Sequence, residues 1–271
     1  MISLKSLGIH FQKNKAHLAF WDKEKIVGVS SRIAKSLDST VVDLLEKAKV
    51  DFPKKKKIPT VIALPYSMVK INTLMKIPNL DKTKDIEDML ILETESALKI
   101  KKETHEISPV LQLAEKDMDS WIMSAASAKK EDVVKYVNAV NNTGLQAVAV
   151  DIEPDAFRRV CPEPENVVFL YFFNEDIEYV GIFIYNGKHL IGARYLPTAS
   201  YDPESLKTEI NRMLEFCKRV ITDYKVENYA IFSANEDNIE FMQEVLNPIK
   251  DSFLKKTSSV IAAGLALRGV E

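Results

Sequence analysis

The sequence predicts a mixed α/β protein of two lobes, and three observations carry that expectation. Short runs of β-branched and aromatic residues form meanders, helices with 3/4 apolar spacing follow each meander, and the succession occurs twice along 271 residues. Between the two occurrences lies Cys161-Pro-Glu-Pro-Glu-Asn166, where two prolines among carboxylates sustain neither a helix nor a central strand. The first lobe is therefore expected over residues 1–165 and the second over 166–271. With 46% hydrophobic residues the chain can bury a full core.

Leu4 to Phe11 and Ala16 to Trp21 read as a hairpin around the polar turn Gln12-Lys13-Asn14-Lys15. A helix is expected over 40–50, capped by Ser39 or Thr40, with Val41, Leu44, Leu45 and Ala48 on one face and Pro53 beyond its end. Strands over 60–64 and 68–77 flank the Pro65 turn. The helix over 81–98 is acidic in its first turn, which suits the positive end of the helix dipole, and Met89 to Leu92 are assigned to its core side. Strands over 107–113 and 121–127 precede a helix whose Val133, Val134, Val137 and Val140 are assigned to one face and which ends at Asn141-Asn-Thr-Gly144. A strand over 145–152 and a short helix over 154–160 complete the first lobe.

In the second lobe, 167–173, 177–185 and 188–194 make a three-stranded meander with its last turn at Asn186-Gly187. The helix over 203–224 has Leu206, Ile210, Met213, Leu214, Cys217, Ile221 and Tyr224 in a single apolar stripe. A strand over 228–232 and helices over 236–246 and 258–268 follow.

Charge excludes some functions. Lys+Arg of 37 against Asp+Glu of 39 gives a net charge of -2, which offers no long-range attraction to nucleic acid. The one basic run, Lys54 to Lys57, lies between Pro53 and Pro59 and reads as a solvated loop. Cys161 and Cys217 have neither metal-ligand nor redox-motif spacing and read as core residues in a reducing compartment. The N-terminus lacks the apolar stretch of a signal peptide, and the longest apolar runs, 167–173 and 260–267, fall far short of a membrane span. A soluble, cytoplasmic protein is the expectation.

Candidate chemistry is sparse. His10 and His17 sit one on each strand of the opening hairpin without an evident third ligand, so they are assigned to the surface or a sheet edge rather than to a metal. Asp151 and Glu153 end a strand beside Pro154, where a turn-and-cap role outweighs that of a catalytic pair. Nucleophile motifs, Gly-rich phosphate loops and HExxH are all absent from the sequence.

Several segments, in order along nearly the whole chain, give the sequence its resemblance to a family. They are Ser6-Leu-Gly-Ile9, Ala63-Leu-Pro65, Leu74-Met-Lys-Ile-Pro78, Glu93-Thr-Glu95, Ser124-Ala-Ala-Ser-Ala-Lys-Lys130, Tyr136-Val137, Thr143-Gly-Leu145, Val150-Asp-Ile-Glu-Pro154, Asn186-Gly-Lys188 and Ala263-Gly-Leu-Ala-Leu-Arg268. Together they resemble the type IV pilus assembly protein PilM and its relative GspL, the cytoplasmic platform component of type II secretion. The resemblance implies an actin-like two-lobe fold with a small α/β insertion in lobe 1, over about residues 68–143. The stretch between Pro197 and Pro203 is far shorter than in typical PilM, so the upper subdomain of lobe 2 is expected to be reduced.

Against the nucleotide site that the resemblance implies, three turns depart together. The first, His10 to Lys15, carries Gln12, Lys13 and Asn14 where the family has an acidic residue, glycine and serines. The second, Phe173 to Glu178, places Glu175, Asp176 and Glu178 where small residues belong, and three carboxylates repel a triphosphate. The adenosine turn reads Ser233-Ala234-Asn235 in place of Ser-Gly-Gly. No cofactor, no metal and no catalysis are expected. The implied role is a scaffold peripheral to the inner membrane, binding a membrane-anchored PilN-like or GspM-like subunit and the motor ATPase, as a monomer or homodimer. The alternative is an actin-like ATP-binding protein with weak ATPase or polymerising activity. A partner peptide is expected to add as a strand in the groove between lobe 1 and its insertion, at Val69, Ile71, Leu74 and Lys76. The natural chain is expected either to continue past Glu271 into a membrane span or to pair with a separate membrane subunit.

Overall fold

The computed structural model describes residues 6–22, 25–49, 57–78, 83–114, 120–160, 167–172, 179–187, 189–197, 203–221, 224–225, 228–232 and 260–268. The expected linker at 161–166, the helix at 236–246, the turns at 173–178 and 233–235, and Cys161 lie outside them.

Three sheets organise the chain. The first is five-stranded, in the order β3-β2-β1-β4-β8, built from β1 (Leu7–Phe11), β2 (Lys15–Asp22), β3 (Lys25–Arg32), β4 (Pro59–Ala63) and β8 (Gln146–Asp151). β3, β2 and β1 run antiparallel in a meander, and β4 and β8 add in parallel. The four-stranded sheet repeats this plan: β11 (His189–Pro197), β10 (Tyr179–Asn186) and β9 (Val167–Phe172) form an antiparallel meander, and β12 (Asn228–Phe232) adds in parallel. The third sheet, in the order β5-β7-β6, comprises β5 (Val69–Pro78), β6 (His105–Ala114) and β7 (Ser120–Lys129), all antiparallel. It is inserted between β4 and β8 of the first sheet. β3 is an addition to the expected elements. Its Gly28, Ser30 and Ser31 dilute the apolar alternation by which a strand is read.

Helix α1 (Leu37–Ala48) starts earlier than expected. Its N-cap is Ser36, whose hydroxyl accepts from the Ser39 N–H, while Thr40 donates its own hydroxyl to the Ser36 carbonyl. α2 (Thr83–Leu98) covers one face of the inserted sheet through Ile86 and Leu90. Leu92, assigned to that core side, is instead 62% exposed, because it is two positions round the helix from Leu90. α3 (Lys130–Asn141) buries Tyr136, Ala139 and Val140, and Val134 faces outward from the stripe it was assigned to. α3 packs with α1 over the first sheet, Tyr136 lying edge-on to Phe11 at 4.9 Å.

In the second lobe, α5 (Pro203–Val220) lays Leu206, Ile210, Leu214 and Cys217 against Val180, Ile182, Ile184 and Ile191; it ends four residues short of the expected helix, and Ile221 and Tyr224 of the expected stripe join the same core from beyond its end. Burial pushes the Cys217 thiol up to about 12, so it stays a neutral apolar group.

Two short helices tie the lobes together: α4 (Glu153–Val160) and α6 (Val260–Arg268). Their Ala156, Phe157, Ile261 and Leu265 share one core with Val61 and Ala63 of the first sheet, Ala126 of the insertion, and Phe183, Tyr185 and Leu190 of the second. A Cβ at Gly264 of α6 would stand 1.7 Å from the Ala156 carbonyl oxygen, and one at Gly8 of β1 would stand 1.9 Å from that of Ala262. Backbones approach this closely only where glycine stands.

Candidate functional site

The first hairpin turn is closed by its own backbone. The Gln12 N–H donates to the Lys15 carbonyl at 2.8 Å, so this backbone donor is committed inside the turn. The β1–β2 register sets His10 directly opposite His17, with rings stacked at 5.9 Å. Both are 1% exposed, which corrects their assignment to the surface: the hairpin lies inside the five-stranded sheet, between β3 and β4, and both of its faces are covered.

Each histidine has a partner that explains its burial. His10 Nε2 donates to Glu153 Oε1 at 2.7 Å, and His17 Nε2 donates to Gln12 Oε1 at 3.3 Å. Burial first, then the neighbouring His10, lowers the His17 pKa to about 3, so this ring is neutral across the physiological range. Glu153 is turned inward at the start of α4, so its role goes beyond the turn-and-cap one expected. Its second oxygen, His17 Nδ1 and Gln12 Nε2 are buried without a hydrogen-bond partner.

Asp151 does fill the turn role. It accepts from the Ile152 N–H at 2.9 Å and holds Arg159 of α4 at 2.7 Å and Arg268 of α6 at 3.0 Å. Asp155, in the first turn of α4, carries a carboxyl raised to about 7, chiefly by burial and then by the charge of Asp151. Tyr185 donates to the Pro154 carbonyl at 2.6 Å and Tyr224 to the Tyr185 carbonyl at 2.9 Å, which fastens the second lobe to α4.

A triphosphate in such a fold needs unspent backbone N–H groups, small side chains and few carboxylates. At the first turn the Gln12 backbone N–H is committed to the Lys15 carbonyl, the Gln12 and His17 side chains are buried, and the Glu153 carboxylate is buried with them. These residues do not fit the group. Among the described residues there is also no cluster of three His, Cys, Asp or Glu side chains able to hold a metal ion. Lys13 and Asn14 are exposed at the tip, while Glu175, Asp176, Ser233, Ala234 and Asn235 lie outside the described residues.

The four positions expected to receive a peptide are brought to one face by a feature the sequence does not announce. Between Asn72 and Met75 the β5–β7 register slips by one residue, and Leu74 adopts φ 59. The bulge resets the alternation, so Val69, Ile71, Leu74 and Lys76 share a face while Lys70, Asn72, Met75 and Ile77 share the other. That first face is turned into the molecule. Val69 and Ile71 pack on the core between the lobes, and Leu74, 7% exposed, joins Ile122 in the core of the second lobe. Lys76 alone of the four is exposed.

Two meanders, the first extended by two parallel strands and the second by one, joined through α4 and α6, with a third sheet inserted into the first, give this chain an actin-like fold. It resembles a chain of the PilM–PilN type IV pilus biogenesis complex with a TM-score of 0.72 and 18% identity, over 99% of both chains. It also matches the cytoplasmic domain of EpsL, an inner membrane component of the type II secretion system of Vibrio cholerae, with a TM-score of 0.51 and 10% identity, over 97% of this chain and 95% of that one. At such identities the likeness establishes the fold. No protein-family model and no curated protein matches the chain.

Proposed function

We propose that this protein is a non-catalytic actin-like adaptor of a type IV pilus or type II secretion platform, working on the cytoplasmic side of the inner membrane. It binds the cytoplasmic segment of a PilN-like or GspM-like membrane-anchored subunit, and the motor ATPase. The reading is supported by the end-to-end likeness to a chain of a pilus biogenesis complex, joined to a first turn that carries bulky Gln12 and Lys13 and whose Gln12 backbone N–H is already committed. In this reading residues 1–165 are lobe 1 and 166–271 a reduced lobe 2, with the insertion over about 68–143. No helix among the described residues is long and apolar enough to cross a membrane.

The sheet order supports a docking place at β5. β5 ends its sheet, and no other strand pairs with its outer edge among the described residues. An extended partner segment can add there through backbone hydrogen bonds. Since Val69, Ile71 and Leu74 are packed inward, the edge and Lys76 supply the contacts. Amide exchange along β5 should slow when the partner's cytoplasmic segment is added, and Lys76→Glu should weaken binding of an acidic segment. Tight binding with unchanged exchange at β5 places the site elsewhere.

The same reading requires that ATP does not bind. Titration with ATP and magnesium by calorimetry should give a dissociation constant weaker than ~100 μM, a binding free energy of less than about 5.5 kcal/mol. Tighter binding revives an ATPase.

A further inference from the structure

Two bulges in different sheets meet across a cavity. One is the slip in β5 at Thr73 and Leu74, where Leu74 carries φ 59. The other lies in β11: Gly192 pairs with Ile184 and Leu190 with Tyr185, so Ile191 between them has no cross-strand partner. The cavity, of 310 Å³, is walled by Thr73 on one side, by residues 191–194 of β11 on another, and by Arg212, Met213, Phe216 and Cys217 of α5. Side chains alternate along a strand, so four consecutive residues can line one cavity only where part of the wall is backbone. β11 ends its sheet, and Gly192 contributes backbone alone.

The wall has two kinds of surface. Ile191, Met213 and Phe216 make one part apolar, and Phe216 is 52% exposed. The Cys217 thiol beside them is neutral and donates to the Ile191 carbonyl at 3.8 Å, so it offers no nucleophile. Arg194 and Arg212 make the other part cationic. Both are held by Glu209, three residues before Arg212 on α5, whose carboxylate is 6% exposed. Arg194 Nη1 donates to Glu209 Oε1 and Arg212 Nη1 to Glu209 Oε2. A guanidinium has five N–H donors, and among the described residues each arginine spends only its Nη1. Two cations against one carboxylate leave the cluster with a net positive charge. The other glutamates of α5, Glu204 and Glu215, do not line the cavity, and Glu215 is bonded to Lys218.

Burying a carboxylate is costly unless its partners are well placed. What Glu209 achieves is the placing of two guanidinium groups at the mouth of a cavity. Bulges and left-handed residues other than glycine likewise concentrate where ligands bind. From these features together we infer that the cavity binds a small carboxylate with an apolar body. The body lies on Ile191, Met213 and Phe216, and the carboxylate accepts from the remaining N–H groups of Arg194 and Arg212. The volume is at the low end for ligand pockets, which limits the ligand to a single aromatic or medium-chain acid. Such a ligand touches the insertion through Thr73 and the second lobe through β11 and α5. This site stands apart from the adaptor reading and does not depend on it.

Calorimetric titration with three probes, 3-phenylpropanoate, octanoate and indole-3-acetate, tests the assignment. At least one should bind with a dissociation constant on the order of 0.1–1 mM, as suits a ligand of about eleven non-hydrogen atoms. The matching amide should bind about tenfold more weakly. Acetate, which has the charge without the body, should not compete. Arg194→Gln and Arg212→Gln should each weaken the acid about tenfold and leave the amide unchanged, whereas Phe216→Ala should weaken acid and amide alike. All three side chains are about half exposed or more, so the fold tolerates these changes, which unaltered circular dichroism verifies. No binding by any of the three acids, an amide that binds as well as its acid, acetate that competes with it, or unchanged affinity in the double variant Arg194→Gln/Arg212→Gln would each overturn the proposal.

Discussion

At the scale of single residues, His17 and Asp155 set opposing pH responses. His17 binds a proton less readily folded than unfolded, so its contribution to stability is lost as pH falls below about 6.5 toward 3. Asp155 binds its proton more readily when folded, since its carboxyl rises from 3.8 to about 7. Its contribution is full below pH 3.8 and is lost as pH rises through 7. Between about pH 4 and 6.5 the two slopes have opposite sign, each on the order of 1.4 kcal/mol per pH unit, and offset one another. Asp155→Asn should therefore expose the histidine slope, with stability rising as pH increases over that range. His17→Gln should expose the other, with stability falling. Urea midpoints measured at half-unit pH steps decide this, and parallel profiles for both variants would refute it.

At the scale of elements, the bulge in β5 decides what a substitution does. Leu74 combines a left-handed backbone with a side chain in the core of the second lobe. Leu74→Asp places a carboxylate among Val180, Ile182 and Leu214 and should cost on the order of 3–5 kcal/mol, read as a lowered urea midpoint. A variant as stable as wild type would show that the face is open after all. This also marks how far the sequence was legible. The α5 stripe and the β1–β2 hairpin were readable because their periodicity is regular over many residues. The bulge was not, since no glycine or proline stands at Thr73-Leu74 to announce it. Nor was the burial of His10 and His17, because a histidine looks alike in sequence whether or not a glutamate 143 residues away will meet it. Leu92 and Val134 were misplaced for a third reason: adjacent apolar residues on a helix lie on different faces, and a run of them hides which is which.

At the scale of the whole molecule, one core reaches into all three sheets through α4 and α6. Lobes joined in this way should unfold as a unit. The chain has two tryptophans, Trp21 in β2 and Trp121 in β7, which report on the first sheet and on the insertion. Denaturation of single-tryptophan variants should give coincident curves, matched by circular dichroism. Separate midpoints would mean that the insertion melts independently. The contact of Gly8 with α6 carries a further consequence, for synthesis on the ribosome. The strand that receives α6 is made first, and its partner helix emerges about 250 residues later, ~10–50 s at ordinary elongation rates. Throughout that interval the nascent first lobe carries an apolar slot with nothing to fill it, which makes it a natural client for a chaperone waiting at the exit tunnel.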